Sequence, residues 1–449
     1  MSPGTRVHAD TVPVGTVLVD TVLADTVLKE RHMTASQELD RAVRGELDSL
    51  VDLYQDLHAH PELSFAEHRT AATVARHAAS YGYDVTSGVG RTGVVAVLDH
   101  GEGPTVLLRA DFDALPVTER TGLPYASRTA GVMHACGHDL HVTCLLGALK
   151  LLADARERWR GRIVAVFQPA EEVGEGARAM IDDGLFDRFG TPDVVLGQHV
   201  APLAVGMVAC HAGPAFAATD SLKVVMYGKG AHGSRPETSV DPVVMAAATV
   251  MRLQTVVSRE VPAGETAVLT VGSLRAGTVD NIIPDEAELR LSIRTYDEDI
   301  RTRMRAAVER IVRGEALVAG AEREPEFTAL DAFPVLVNDE AAVARTMGAV
   351  AGVLGDGQVI DPGPVTGSED VGLFGTAAKA PVCYWLFGGC DAEVYAAAAA
   401  GGTLDRDVPS NHSPLFAPLA APAVTTGVTA MTAAALEWLG RPGGTAESI

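Results

Sequence analysis

Met133-His-Ala-Cys-Gly-His-Asp-Leu-His141 sets three histidines, a cysteine and an aspartate within nine residues, and an apolar helical pattern from Val142 to Leu152 follows directly. Cys136 and His138 offer a thiolate and an imidazole two positions apart. Both can reach one metal ion if Gly137 takes an unusual backbone angle. The same residues also suit a polar loop ahead of a buried helix.

Short apolar runs at Val94 to Leu98, Thr105 to Arg109, Ile163 to Phe167 and Val194 to Gly197 surround this cluster. They read as buried strands, with helical segments near 142 to 153 and 174 to 183 between them. Such alternation predicts an α/β fold, doubly wound, with a mostly parallel sheet. In such sheets function gathers beyond the carboxyl ends of the strands. Asp111 and Asp113 follow one of these ends, Glu171 and Glu172 another, and His199 a third.

From about Asp220 the texture changes to β-patterned segments, Leu222 to Tyr227, Ala267 to Ser273 and Glu288 to Arg294, with helical stretches near 241 to 259 and 298 to 318. This predicts an inserted, smaller α+β two-layer sandwich. The expected division is a catalytic domain over 34–219 and 331–439, interrupted by a lid or dimerisation domain over 220–330. In the returning part, a helix over 339 to 353, a strand over 382 to 387 and a terminal helix near 418 to 438 are expected, with Ala396 to Gly402 as a small-residue loop. Thr34-x-x-Gln37 and Ser64-x-x-Glu67 read as capping boxes that open helices. Residues 1–33 repeat Asp-Thr-Val and read as a disordered leader, a misassigned start or a short strand; residues 440–449 read as a disordered tail. The leader lacks the basic and apolar regions of a secretory signal.

Composition narrows the class. The chain has 449 residues, 47% of them hydrophobic, and a formal charge of -22. It has no apolar run of membrane length. The negative charge argues against nucleic acid or an anionic membrane as partner. Five scattered cysteines suit a reducing cytoplasm.

The pair Glu171 and Glu172 follows a strand, where adjacent side chains diverge and can serve two tasks, one binding a metal and the other moving a water proton. Both also suit a solvated helix start. His199 and the polar turn Ser410-Asn-His-Ser-Pro414 are individually unremarkable. Together with the Cys136 cluster they make a two-metal hydrolytic site the coherent reading. Gly228-Lys-Gly-Ala-His-Gly-Ser234 lets His232 project toward a carbonyl oxygen, or merely links two strands. Asn281 and Arg294 supply an amide and a guanidinium; arginine grips carboxylates bidentately, although Arg294 also suits a surface ion pair.

With these motifs assembled, the chain resembles the aminoacylase and carboxypeptidase family of dinuclear metallohydrolases, in particular the amidohydrolase branch with hippurate hydrolase, N-acyl-amino-acid amidohydrolases and auxin-conjugate hydrolases. His58-Ala-His-Pro-Glu-Leu-Ser64, Leu108-Arg-Ala-Asp-Phe-Asp-Ala-Leu-Pro116, Met133 to Asp139, Phe167-Gln-Pro-Ala-Glu-Glu172, Gly230-Ala-His-Gly-Ser234, Asn281-Ile-Ile-Pro284, Gly367-Ser-Glu-Asp370 and Asn411-His-Ser-Pro414 carry the resemblance in order along the chain. It implies metal ligands at Cys136, His138, Glu172, His199 and His412, and Glu171 as general base and acid. Asp113 would support the ligands from behind. His232 would act on the substrate carbonyl, in its own subunit or in the partner's site, and Asn281 and Arg294 would contact the substrate carboxylate and oxyanion. Two divalent ions are implied, zinc or manganese first, with cobalt or nickel as alternatives. The implied partner is a second copy, in a homodimer or homotetramer joined through the inserted domain.

The expectation is a metal-dependent amidohydrolase that cleaves N-acyl amino acids of hippurate or N-acetyl type. The rivals are a metallo-dipeptidase or carboxypeptidase, a small-molecule-binding homologue without chemistry, and a cysteine hydrolase with Cys136 as nucleophile. Val371 and the 388 to 409 stretch depart from the family pattern and bear on substrate preference.

Overall fold

The structure, a computed structural model, describes residues 16–440, with side chains described from Ser36 onward. The expected leader therefore falls partly outside the described residues, and the expected tail almost wholly so. From Thr16 to His58 the chain forms one α-helix, which runs through Thr34 instead of starting there.

Eight strands build the larger sheet, in the order Asp84–Val89, Gly93–His100, Gly161–Gln168, Thr105–Asp111, Val194–Ala204, Val382–Cys390, Val208–Ala209 and Val359–Ile360. The four at its centre, Gly161–Gln168 to Val382–Cys390, are mutually parallel. The first two strands are antiparallel, a hairpin that widens the sheet at one edge. Alternation along the central strands sends side chains to two cores. Leu108 and Ala165 face a layer holding Leu50, Tyr54, Leu145 and Met431 from the helices Thr16–His58, His138–Asp154 and Ala420–Trp438. Leu107, Val164 and Val166 face a layer holding Met180, Phe374 and Tyr384. Apolar burial on both faces explains why these strands read as continuous hydrophobic runs.

The second sheet is antiparallel, in the order Ala267–Ala276, Glu286–Thr295, Ala218–Tyr227 and Glu326–Phe333. It spans Ala218 to Phe333, slightly more than the expected segment. Helices Pro242–Glu260 and Glu298–Val318 share a separate core with it, formed by Val224, Met226, Leu289, Met245 and Met304. Each helix is fixed at its start by an aspartate: Asp241 accepts from the Val243 amide at 2.8 Å and Asp297 from that of Ile300 at 2.8 Å.

Two further local expectations fail. The alanine run forms the helix Ala392–Gly401, because Asp391 accepts from the amides of Glu393 and Val394 and alanine has the best helix propensity. The helix His68–Ser80 begins after Glu67 without a side-chain cap. Ser64 and Glu67 are engaged elsewhere, next to the site described below.

Candidate metal centre and active site

The carboxyl ends of the central strands supply the site. Beyond Thr105–Asp111 comes Asp113. Beyond Gly161–Gln168 a tight turn, Glu171–Val173, lies between two left-handed residues, Ala170 at φ 49° and Gly174 at φ 66°. Glu67 holds the strained Ala170 by accepting its amide at 2.9 Å, and Thr92 donates to the other oxygen at 2.6 Å. His199 does not end its strand as expected; pairing with Val382–Cys390 carries the strand on to Ala204.

Gly137 precedes the helix His138–Asp154 at φ 87°, and a Cβ there would collide with Val200 Cγ1. This conformation turns Cys136 and His138 toward the same point. The turn around His412, itself left-handed at φ 69°, is stitched to the Cys136 loop: the His412 amide donates to Ala135 O at 2.8 Å, and Asn411 Nδ2 donates to Cys136 O at 3.1 Å and Val200 O at 3.2 Å.

All five expected ligands converge. Cys136 Sγ lies 3.4 Å from His199 Nε2, and Glu172 Oε2 lies 3.4 Å from His412 Nε2. His138 Nε2 is 3.8 Å from Glu172 Oε1 and 3.9 Å from Glu171 Oε2. The donor atoms of Cys136, His138 and His199 lie within 4.8 Å of one another, as do those of Cys136, Glu172 and His412. His138 Nε2 and Glu172 Oε1 are buried without a hydrogen-bond partner among the described residues. Leaving such atoms unpaired costs about 1–3 kcal/mol each. A thiol, imidazoles and carboxylates around unpaired buried atoms fit a divalent cation. The electrostatics agree. Burial and then the nearby carboxylates of Glu172 and Glu171 push the Cys136 thiol well up, and burial raises Glu172 to about 7. Glu171 is raised well above the carboxylate range by burial, then by Glu369 and Glu172.

Residues 107–400 match the peptidase family M20/M25/M40. The chain belongs to that family. It is 39% identical to the N-acetyl-L-cysteine deacetylase of Bacillus subtilis over 72% of this chain and 77% of that one. It is likewise 39% identical to the hippurate hydrolase of Campylobacter jejuni, over 71% of this chain and 82% of that one. Among solved structures, the Bacillus subtilis YXEP protein, described as a dinuclear metal binding peptidase from the M20 family, superposes with a TM-score of 0.68 at 29% identity, covering 88% of this chain and all of that one. The resemblance drawn from the motifs is thereby borne out.

In this M20 chain a ring of buried groups supports the cluster. Asp113 accepts from Ser64 Oγ at 2.7 Å and the Glu172 amide at 3.1 Å, and faces His138 Nδ1 at 3.2 Å. His141 Nδ1 lies 2.6 Å from Asp111 Oδ1, while its Nε2 accepts the Val200 amide at 2.8 Å, so the ring is fixed in one neutral tautomer. Beneath them Arg109, fully buried, donates to Asp111 at 2.9 Å and to Glu369 at 2.7 Å. His58 Nδ1 meets Asp139 at 2.7 Å. The sequence alone assigns no role to Arg109, Asp111, His141 or Glu369. Their signal was present in the quoted motifs, but partners so distant in sequence could not be paired without the fold.

A cavity of about 430 Å³ opens over the cluster. Phe216, Phe333, Val365 and Leu386 give it apolar walls, and Arg294 lines it as well. Arg294 donates through Nη1 to Thr366 O at 2.6 Å, tying the second sheet to the loop before Glu369. His232 and Asn281 are not among the lining residues. They sit together on a small ladder, where His232 pairs with Ile282 and the Gly233 amide donates to Asn281 O at 2.7 Å, with the His232 side chain open to solvent.

Proposed function

We propose that the protein is a metal-dependent amidohydrolase that cleaves the amide bond of N-acyl amino acids. The observation that carries this reading is the position of Glu171, a buried carboxyl 3.9 Å from His138 Nε2 on the floor of a cavity whose wall carries Arg294. Cys136, His138, Glu172, His199 and His412 would hold two divalent ions, zinc or manganese first. Ions bound there supply Lewis acidity and lower the pKa of water. Glu171 takes a proton from the attacking water and hands it to the departing amine. A buried carboxyl beside the proposed ligands can hold the proton between the two transfers. Asp113 keeps His138 turned so that Nε2 faces the cluster. Arg294 receives the substrate carboxylate.

The segment 220–330 serves as lid and as the joint between two or four copies, with 34–219 and 331–439 as the catalytic unit. His232 and Asn281, away from the cavity of their own chain, act in the partner's site, where His232 donates to the oxyanion. Among the described residues no helix is long and apolar enough to cross a membrane. The cysteines described are all free, which supports a cytoplasmic location.

The test is release of free amino acid from a panel of N-acetyl and N-benzoyl amino acids. The protein is assayed as prepared, after chelation, and after chelation followed by zinc or manganese. Release that disappears with the chelator and returns with the metal is the expected result. Folded, remetallated protein that releases nothing would refute the reading.

A further inference from the structure

The cavity wall holds a second charge, and a fault in strand pairing puts it there. In the strand Glu326–Phe333, Ala329 pairs with Leu222, but Ala332 pairs with Asp220, so one residue is extra. Had the Ala329 register continued, Leu330 would lie level with Ser221 and Asp331 would face away. The bulge instead brings Asp331 level with Ser221, two residues before Phe333, and turns Leu330 outward, where it is 42% exposed. Ser221, Thr219, Phe333 and Arg294, which pair across the same strands, all line the cavity, and Asp331 lines it with them. Among the described residues Asp331 has no hydrogen-bond or ion-pair partner, whereas Arg294 is anchored to Thr366 O. Their backbones stand two inter-strand steps and two residues of register apart, about 12 Å. The two opposite charges therefore do not neutralise each other directly, and Thr219 and Ser221 lie between them.

We propose that Asp331 is a specificity-determining residue that selects amide substrates carrying an ammonium group as well as the carboxylate held at Arg294. An apolar pocket alone discriminates weakly, whereas an unpaired carboxylate penalises a neutral or anionic group placed against it and rewards a cation. The ammonium can belong to the amino-acid side chain, as in an Nα-acyl diamino acid, or to the acyl side, as in a dipeptide. The proposal rests on the amide-hydrolase reading above.

Two pairs of substrates, each differing by the charge, separate these sources: Nα-acetyl-lysine against Nα-acetyl-norleucine, and alanyl-leucine against propionyl-leucine. With metal-loaded protein, kcat/KM is expected to favour the charged member of at least one pair by about tenfold. Asp331→Asn should abolish that preference while leaving the neutral member within about twofold, and Asp331→Glu should restore it. The pair that responds identifies the source. Equal ratios in the wild-type protein and Asp331→Asn overturn the proposal, and so does a loss shared by all four substrates that Glu does not rescue. In the first case the neutral amides are still cleaved, so the hydrolase reading survives. If no amide is cleaved, both fall.

Discussion

His138 Nδ1 lies 3.2 Å from Asp113 Oδ1, so the nitrogen left facing the ligand cluster is Nε2, which stands 3.4 Å from Asp111 Oδ2 and has no hydrogen-bond partner among the described residues. Asp113 is in turn fixed by Ser64 and the Glu172 amide, so one carboxylate orients two of the proposed ligands. Asp113→Ala should weaken metal binding by about 10–100-fold, measured by competition with a chromophoric chelator. Unchanged affinity would show that the ring is oriented by packing alone.

Glu171→Gln keeps the shape of the turn but removes the proton carrier. kcat should fall by about 10²–10⁴ while the metal content per chain stays the same. Loss of metal along with activity would make Glu171 a ligand and not a base.

Gly137 combines φ 87° with a blocked Cβ position, whereas Gly122, at φ 72°, has nothing within 4 Å of its Cβ position. Gly137→Ala should therefore destabilise by about 2–4 kcal/mol, from strain plus overpacking, and Gly122→Ala by about 1 kcal/mol from strain alone. Denaturant midpoints of the two variants compare them directly. Adding Val200→Ala should relieve only the collision.

His58 is buried, which disfavours its charge, yet Asp139 and then Glu119 outweigh burial and raise it to about 10. A raised folded-state value means the charged ring stabilises the fold fully below its unfolded value of about 6.5, and this contribution fades as pH rises through about 10. His58→Gln should accordingly cost about 3 kcal/mol near neutrality, and the gap should narrow toward pH 10 and above. Unfolding free energies of the two proteins across that range provide the check, and a gap that widens with pH would contradict it.

The sequence made the central strands legible because burial on both faces leaves unbroken apolar runs, and the proposed ligands legible through the motifs that carry the family resemblance. What stayed hidden depended on partners far along the chain. Ser64 and Glu67 have the spacing of a capping box, yet Ser64 holds Asp113 and Glu67 holds the amide of Ala170. Such polar groups can satisfy either a helix end or a remote loop, and only the fold decides which. The alanine run reads as a loop in the sequence because its lack of large side chains hides amphipathic periodicity, whereas its helix rests on propensity and on Asp391. The bulge at Leu330 and Asp331 left no sequence mark, since neither residue needs a special backbone angle to make it.

The strands Val194–Ala204 and Val382–Cys390 are neighbours at the middle of the larger sheet, and the whole second sheet lies between them in the chain. A nascent polypeptide can therefore finish the second sheet with its two helices while the larger sheet still lacks a central strand, and His412 emerges later still. Such sequence-distant pairing is slow to close. His412 and the helix Ala420–Trp438 are thus the last parts of the molecule to join on the ribosome, and a chain shortened before Asn411 would lack both a proposed ligand and the helix that packs one face of the larger sheet.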